Sequence, residues 1–190
     1  ENAMERTNTA ARSRPAPAHS DPLPGRPEAL GDQLRWVHEI LRRDLAAVRD
    51  LAGRVADDDV TTVWRDLQDL QVNAPLFRLR TTCLAVCGTL HSHHEGEDDT
   101  LFPAIRSAAP HLAALLDRLA ADHALIRALL DQIEALAPEL DRTSARTALV
   151  DALDTLATHL AEHLAVEEDG LVSLLNSWQA WPDPLEGELT

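Results

Sequence analysis

An all-α, up-down-up-down four-helix bundle is the fold that this chain predicts, and three observations carry the reading. Hydrophobic residues make up 45% and are mostly Leu and Ala, while aromatic residues are 3% and Tyr is absent. A sheet would draw on β-branched and aromatic side chains instead. Long segments repeat apolar residues at the helical period, without strand-like alternation. The turn-forming stretches between them are short, which sets neighbouring helices antiparallel.

The first helix is predicted from about Pro27 to Ala56, with Leu30, Leu34, Val37, His38, Leu41, Leu45 and Val48 on one stripe. Asp57-Asp58-Asp59 breaks it, and Thr61 can cap a short spacer helix over Thr62 to Val72. Asn73-Ala74-Pro75 opens the second long helix, with Leu79, Cys83, Val86, Leu90, His93, His94 and Glu97 on one side and Phe102-Pro103 near its end. The third runs from near Pro110 to about Leu136, with Leu112, Leu115, Leu116, Leu119, His123, Ile126 and Leu130 inward. Pro138 and Asp141 mark a turn. The fourth spans about Arg142 to Trp178 and aligns Leu149, Leu153, Leu156, His159, Leu160, His163 and Glu167.

Residues 1–27 are polar, Pro- and Ala-rich and aperiodic, which predicts a disordered tail. One domain over 28–178 and a loose acidic tail over 179–190 complete the organisation. The chain has 190 residues, enough for a single sizeable core. Its formal charge of −15 repels phosphate backbones, so nucleic acid is not an expected partner. No apolar run approaches the roughly 20 residues of a membrane span, and the start lacks the apolar stretch of a signal peptide. A cytoplasmic location is the expectation. Cys83 and Cys87 lie four apart on one predicted helix, a spacing that strains a disulfide and fits reduced thiols.

The apolar stripes carry four His and two Glu: His38, then His93-x-x-x-Glu97, then His123, then His163-x-x-x-Glu167. Residues four apart lie about 40° apart around a helix, so each His-x-x-x-Glu pair can aim an imidazole and a carboxylate into one cavity. Burying such groups in a bundle core costs several kcal/mol unless they are paired or bound to metal. Mutual ion pairing could satisfy two or three of them, but no pattern of buried Arg answers the carboxylates. Iron, manganese and zinc all accept neutral imidazole and carboxylate. Two carboxylates able to bridge, with several imidazoles, suit a pair of ions better than a single zinc, which would leave ligands unused.

The order His, His-x-x-x-Glu, His, His-x-x-x-Glu resembles the hemerythrin-like (HHE cation-binding) domain. His93-His94-Glu95-Gly96-Glu97-Asp98 with Leu101-Phe102-Pro103 resembles its signature segment, and His163-Leu164-Ala165-Val166-Glu167-Glu168 resembles the second. The resemblance covers about residues 28–178. It implies a four-helix bundle holding a non-haem, carboxylate-bridged pair of iron ions, oxo- or hydroxo-bridged, that meets O₂, peroxide or NO. It also implies that His38, His93, Glu97, His123, His163 and Glu167 are the metal ligands, with both Glu as bridges. Manganese and zinc remain compatible with the ligand types. Oxygen-carrying hemerythrins have a further His one turn after the third-helix His, where this chain has Arg127. Either a ligand is missing or another group supplies it, and redox chemistry or sensing is then expected over reversible O₂ carriage.

His94 is read as replacing or supplementing His93, and His159, one turn before His163, as an extra ligand or a donor behind one. Cys83, Cys87, His91 and His94 form a rival stripe, but four groups on one helix cannot close around a tetrahedral ion. Glu95, Asp98, Asp99, Glu168 and Asp169 read as solvated charges, Glu168 doubling as a fallback for Glu167. His111 reads as surface. No phosphate loop, nucleophile triad or basic patch is present. Two functional versions follow: an enzyme acting on peroxide or another substrate, or a sensor or metal-binding module for O₂, NO or iron without turnover. A bare helical scaffold is the third.

Overall fold

The computed structural model describes residues 27–57 and 75–178. The spacer helix expected at 62–72 and nearly all of both expected tails lie outside these. The elements are α1 (Leu30–Asp57), α2 (Pro75–Gly96), a π-helical turn (Glu97–Leu101), α3 (Phe102–Ala108), a 3₁₀ turn (Pro110–Leu112), α4 (Ala113–Leu136), a second 3₁₀ turn (Ala137–Glu139) and α5 (Thr143–Ser177). Among the described residues there is no strand. The all-α four-helix bundle is therefore the architecture.

Each long helix has two principal neighbours. α1 packs on α2 and α5, and α4 packs on α2 and α5, which leaves α1/α4 and α2/α5 on the diagonals. Directions follow from side-chain pairs. Asp32 meets Asn176 and Arg49 meets Asp154, so α1 and α5 are antiparallel. Arg80 bonds the Ala137 carbonyl while His91 faces Glu134, so α2 and α4 are antiparallel as well. Gly31 lets α1 and α5 approach closely, since a Cβ there would collide with the Val172 carbonyl and the Asn176 side chain.

The breaks have local causes. Ala109 precedes Pro110, whose ring disfavours the α region for it, and it sits at φ −140°, ψ 70°. Helix α3 ends there. Phe102-Pro103 lies near the end of the second helical run, as expected, and the run goes on to Ala108. Pro103 falls in the first turn of α3, after the π-helical turn closed by the Phe102 N–H on the Glu97 carbonyl. Buried Arg146 fastens the α4–α5 connection by donating to the Leu140 and Asp141 carbonyls and to Thr143 Oγ1.

The apolar core is in two parts. One contains Leu41, Leu90, Ile126 and Leu160; the other contains Leu101, Phe102, Leu119 and Leu171. Along the chain His94 and Glu97, His123 and Glu167 fall between these two sets, His163 sits at the edge of the first between Leu160 and Leu164, and His38 falls between Leu34 and Leu41. The fold thus encloses a polar layer between two apolar plugs. Cys83 and Cys87 belong to the first plug as free thiols, with burial pushing Cys83 up to about 11 and Cys87 to about 12.

Candidate metal centre

Seven side chains converge in that layer. His38, His93, Glu97 and Glu167 form one group of possible ligand atoms, and His94, Glu97, His123 and His163 form another; within each group the atoms lie within 4.8 Å of one another. Glu97 belongs to both. Its Oε1 is 3.1 Å from His93 Nε2 and its Oε2 is 3.4 Å from His123 Nε2, so one oxygen faces each group. Glu167 also spans the two, with Oε2 3.4 Å from His38 Nε2 and 3.6 Å from His163 Nε2.

All six residues expected from the sequence are therefore in the cavity, and His94 joins them as a seventh. α2 lies between α1 and α4, so adjacent residues about 100° apart on it fork toward different neighbours. The His93 ring lies edge-on to His38 at 5.3 Å, while the His94 ring stacks on His123 at 4.3 Å. His94 thereby supplies an imidazole beside His123, on the helix where Arg127 stands one turn further along. His159 is not brought in: it is exposed, on a groove outside the cavity. The rival cysteine stripe also disperses. Cys83 and Cys87 face the apolar plug, His94 faces the cavity, and His91 lies near Asp131 and Glu134 of α4 in a separate, more exposed group.

Behind the cavity stand two carboxylates that the sequence reading left in solvent. His38 Nδ1 donates to Glu168 Oε1 at 2.9 Å, and Arg42 bonds the same oxygen at 2.7 Å. His123 Nδ1 donates to Asp98 Oδ1 at 2.8 Å, and Arg127 Nη2 approaches Asp98 Oδ2 at 3.4 Å. A carboxylate accepts, so each Nδ1 carries the proton and each Nε2 turns its lone pair inward. Arg127, expected as the place of a lost ligand, instead braces the carboxylate behind His123. The π-helical turn begins at Glu97 and includes Asp98, placing the first in the cavity and the second against His123. Such turns are frequent at functional sites.

The electrostatics favour neutral ligands. Burial holds His38, His93 and His163 down to about 3 and His94 to about 2, with neighbouring imidazoles adding to the effect on His93, His94 and His163; His123 is lowered by burial despite Asp98. Glu97 is pushed well up by burial and by Glu167 beside it, and Glu167 is raised by its own burial. At neutral pH these groups form a cluster of uncharged imidazoles around a carboxyl pair that resists ionisation. Nε2 of His38, His93 and His94 and both oxygens of Glu97 and Glu167 are buried with no hydrogen-bond partner outside the cluster. Cations answer that set of lone pairs, whereas further hydrogen-bond donors among the described residues do not.

The sequence profile of the hemerythrin HHE cation binding domain matches residues 30–175. The chain belongs to this family. That makes it a cation-binding module, in agreement with the donor set above. No curated protein and no solved structure matches the chain.

Proposed function

We propose that this hemerythrin-domain protein is a non-haem di-iron protein that binds or reacts with O₂, peroxide or NO. The observation that carries the reading is the pair of four-residue donor groups sharing Glu97. His38 and His93 would hold one ion, His94, His123 and His163 the other, with Glu97 and Glu167 spanning both. Four protein donors for the first ion and five for the second are fewer than the six that octahedral coordination accepts, which leaves room for a small exogenous ligand.

Iron bound there would supply the redox chemistry. The protein residues supply the rest. Glu168 and Asp98 fix the tautomers of His38 and His123, and the apolar plugs keep bulk water and larger molecules from the centre. Loading would displace the proton that burial retains on the Glu97–Glu167 pair. No helix among the described residues is long and apolar enough to cross a membrane, and a cytoplasmic protein is the matching proposal.

The test is to mix iron-loaded protein with azide or peroxide and follow its near-ultraviolet and visible absorption. Catalytic loss of peroxide supports an enzyme. Stoichiometric spectral change without turnover supports the sensor or binding version. No response to any small ligand would overturn the proposal.

A further inference from the structure

Two of the cavity histidines are backed by a carboxylate and an arginine in direct contact: His38–Glu168–Arg42 and His123–Asp98–Arg127. His163 is built to the same scheme with a gap in it. Its Nε2 faces inward, 3.1 Å from His123 Nε2 and 3.6 Å from Glu167, which leaves Nδ1 outward. That Nδ1 is buried, and no protein group among the described residues hydrogen-bonds it. The nearest carboxylate oxygen, Asp122 Oδ2, is 4.0 Å away, and Arg118 stands 4.0 Å behind Asp122. At this place a groove between α4 and α5, about 60 Å³ in volume, is lined by Arg118, Asp122, Leu125, Ile126, His159, Glu162 and His163.

A separation beyond about 3.5 Å between a donor and an acceptor suits a bridging molecule rather than a direct bond. A water needs at least about 10–15 Å³ of such open space, so the groove has room for more than one. Without a cation, the Nε2–H that His163 gives to bare His123 Nε2 leaves Nδ1 an acceptor, whereas a cation on Nε2 would put the proton on Nδ1. A molecule that can donate to or accept from Nδ1 while donating to a carboxylate is water. The groove disfavours anions, because Asp122 and Glu162 would repel them. Asp122 is about one-third exposed, so the bridge can exchange with solvent.

We propose that this groove is a binding subsite for water that bridges His163 Nδ1 to Asp122, making Asp122 a positioning residue for His163. The proposal rests on reading His163 as a cation ligand. Its consequence is an asymmetric centre. His38 and His123 are held by fixed carboxylates, while His163 is held through an exchangeable molecule. Its basicity as a ligand then follows whatever occupies the groove.

The test is the exchange of imidazole Nδ1–H protons with solvent, read by NMR on the zinc-loaded protein with bound zinc counted separately, together with ring ¹⁵N shifts of His163 in the metal-free protein. The His163 proton should exchange at least about tenfold faster than those of His38 and His123, whose carboxylate bonds must break first. Asp122→Glu adds one C–C bond of about 1.5 Å, enough to bring the carboxylate to Nδ1, and should slow His163 to the range of the other two. Equal exchange at the three histidines, or no slowing in Asp122→Glu, would overturn the subsite. A failure to load zinc would count against the metal reading alone, since Asp122→Glu should still draw the His163 proton from Nε2 to Nδ1 in the metal-free protein, and ring ¹⁵N shifts that show no such change would overturn the subsite.

Discussion

Removing the cations should lower the melting temperature by tens of degrees. Seven buried atoms facing the cavity have no hydrogen-bond partner outside the cluster: Nε2 of His38, His93 and His94, and both oxygens of Glu97 and of Glu167. An orphaned buried polar atom costs about 1–3 kcal/mol, so the set is comparable to the roughly 5–15 kcal/mol that stabilises a whole domain. Cations recover this energy by mass action. At about 1,000 times its dissociation constant each ion adds about 4 kcal/mol. Two ions then raise the midpoint by roughly 15–30 °C, at about 2–4 °C per kcal/mol for a domain of this size. Scanning calorimetry of chelator-stripped and iron-loaded protein at fixed free metal reads this directly. A rise below about 3 °C, under the 1 kcal/mol scale of one such atom, would mean that the imidazoles and carboxylates satisfy one another, and the argument from orphaned lone pairs would fail.

Other outcomes follow from the same geometry. Glu97→Ala removes the residue common to both donor groups and should abolish loading of two ions, and His163→Ala should do the same; His111→Ala and His159→Ala, both at exposed positions, should keep two ions by elemental analysis. Asp98→Asn and Glu168→Gln should weaken metal affinity by about 10–100-fold in competition with a chelator, while saturating metal still loads two ions. The stripped protein should be most stable near neutral pH. Four histidines lie near 2–3 when folded against 6.5 unfolded, so the unfolded chain takes up protons first and stability falls as the pH drops below 6.5. Glu97 and Glu167 act in the opposite sense: their raised values stabilise below 4.5, and that contribution is lost as pH rises through the folded values. Below 6.5 the more numerous histidines dominate, so urea midpoints should fall on the acid side; a flat profile would contradict the burial of neutral imidazoles.

Much of this was legible in the chain because helical spacing alone decides it. His93 and Glu97, and His163 and Glu167, are one turn apart, and His38 and His123 sit among Leu and Ile at the same period. Spacing could not choose between His93 and His94, since the answer depends on α2 having a neighbour on each side. Both rings face the cavity, one beside His38 and the other on His123. His159 shares a face with His163, yet one turn back along α5 that face has opened onto the groove, and periodicity carries no information about where a face meets solvent. Asp98 and Glu168 read as surface charges because each follows a cavity Glu by one residue. Their roles appear only when α4 and α1 bring His123 and His38 against them. The π-helical turn that begins at Glu97 changes the local register, which no period of 3.6 anticipates.

The most direct test of the central claim is a crystal structure of iron-loaded protein with anomalous data at the iron edge. The account predicts two peaks per chain, about 3.5–4 Å apart as in other carboxylate-linked metal pairs. One should lie between His38 and His93, the other among His94, His123 and His163, with Glu97 reaching both. A single peak, or iron outside the cavity, would contradict it.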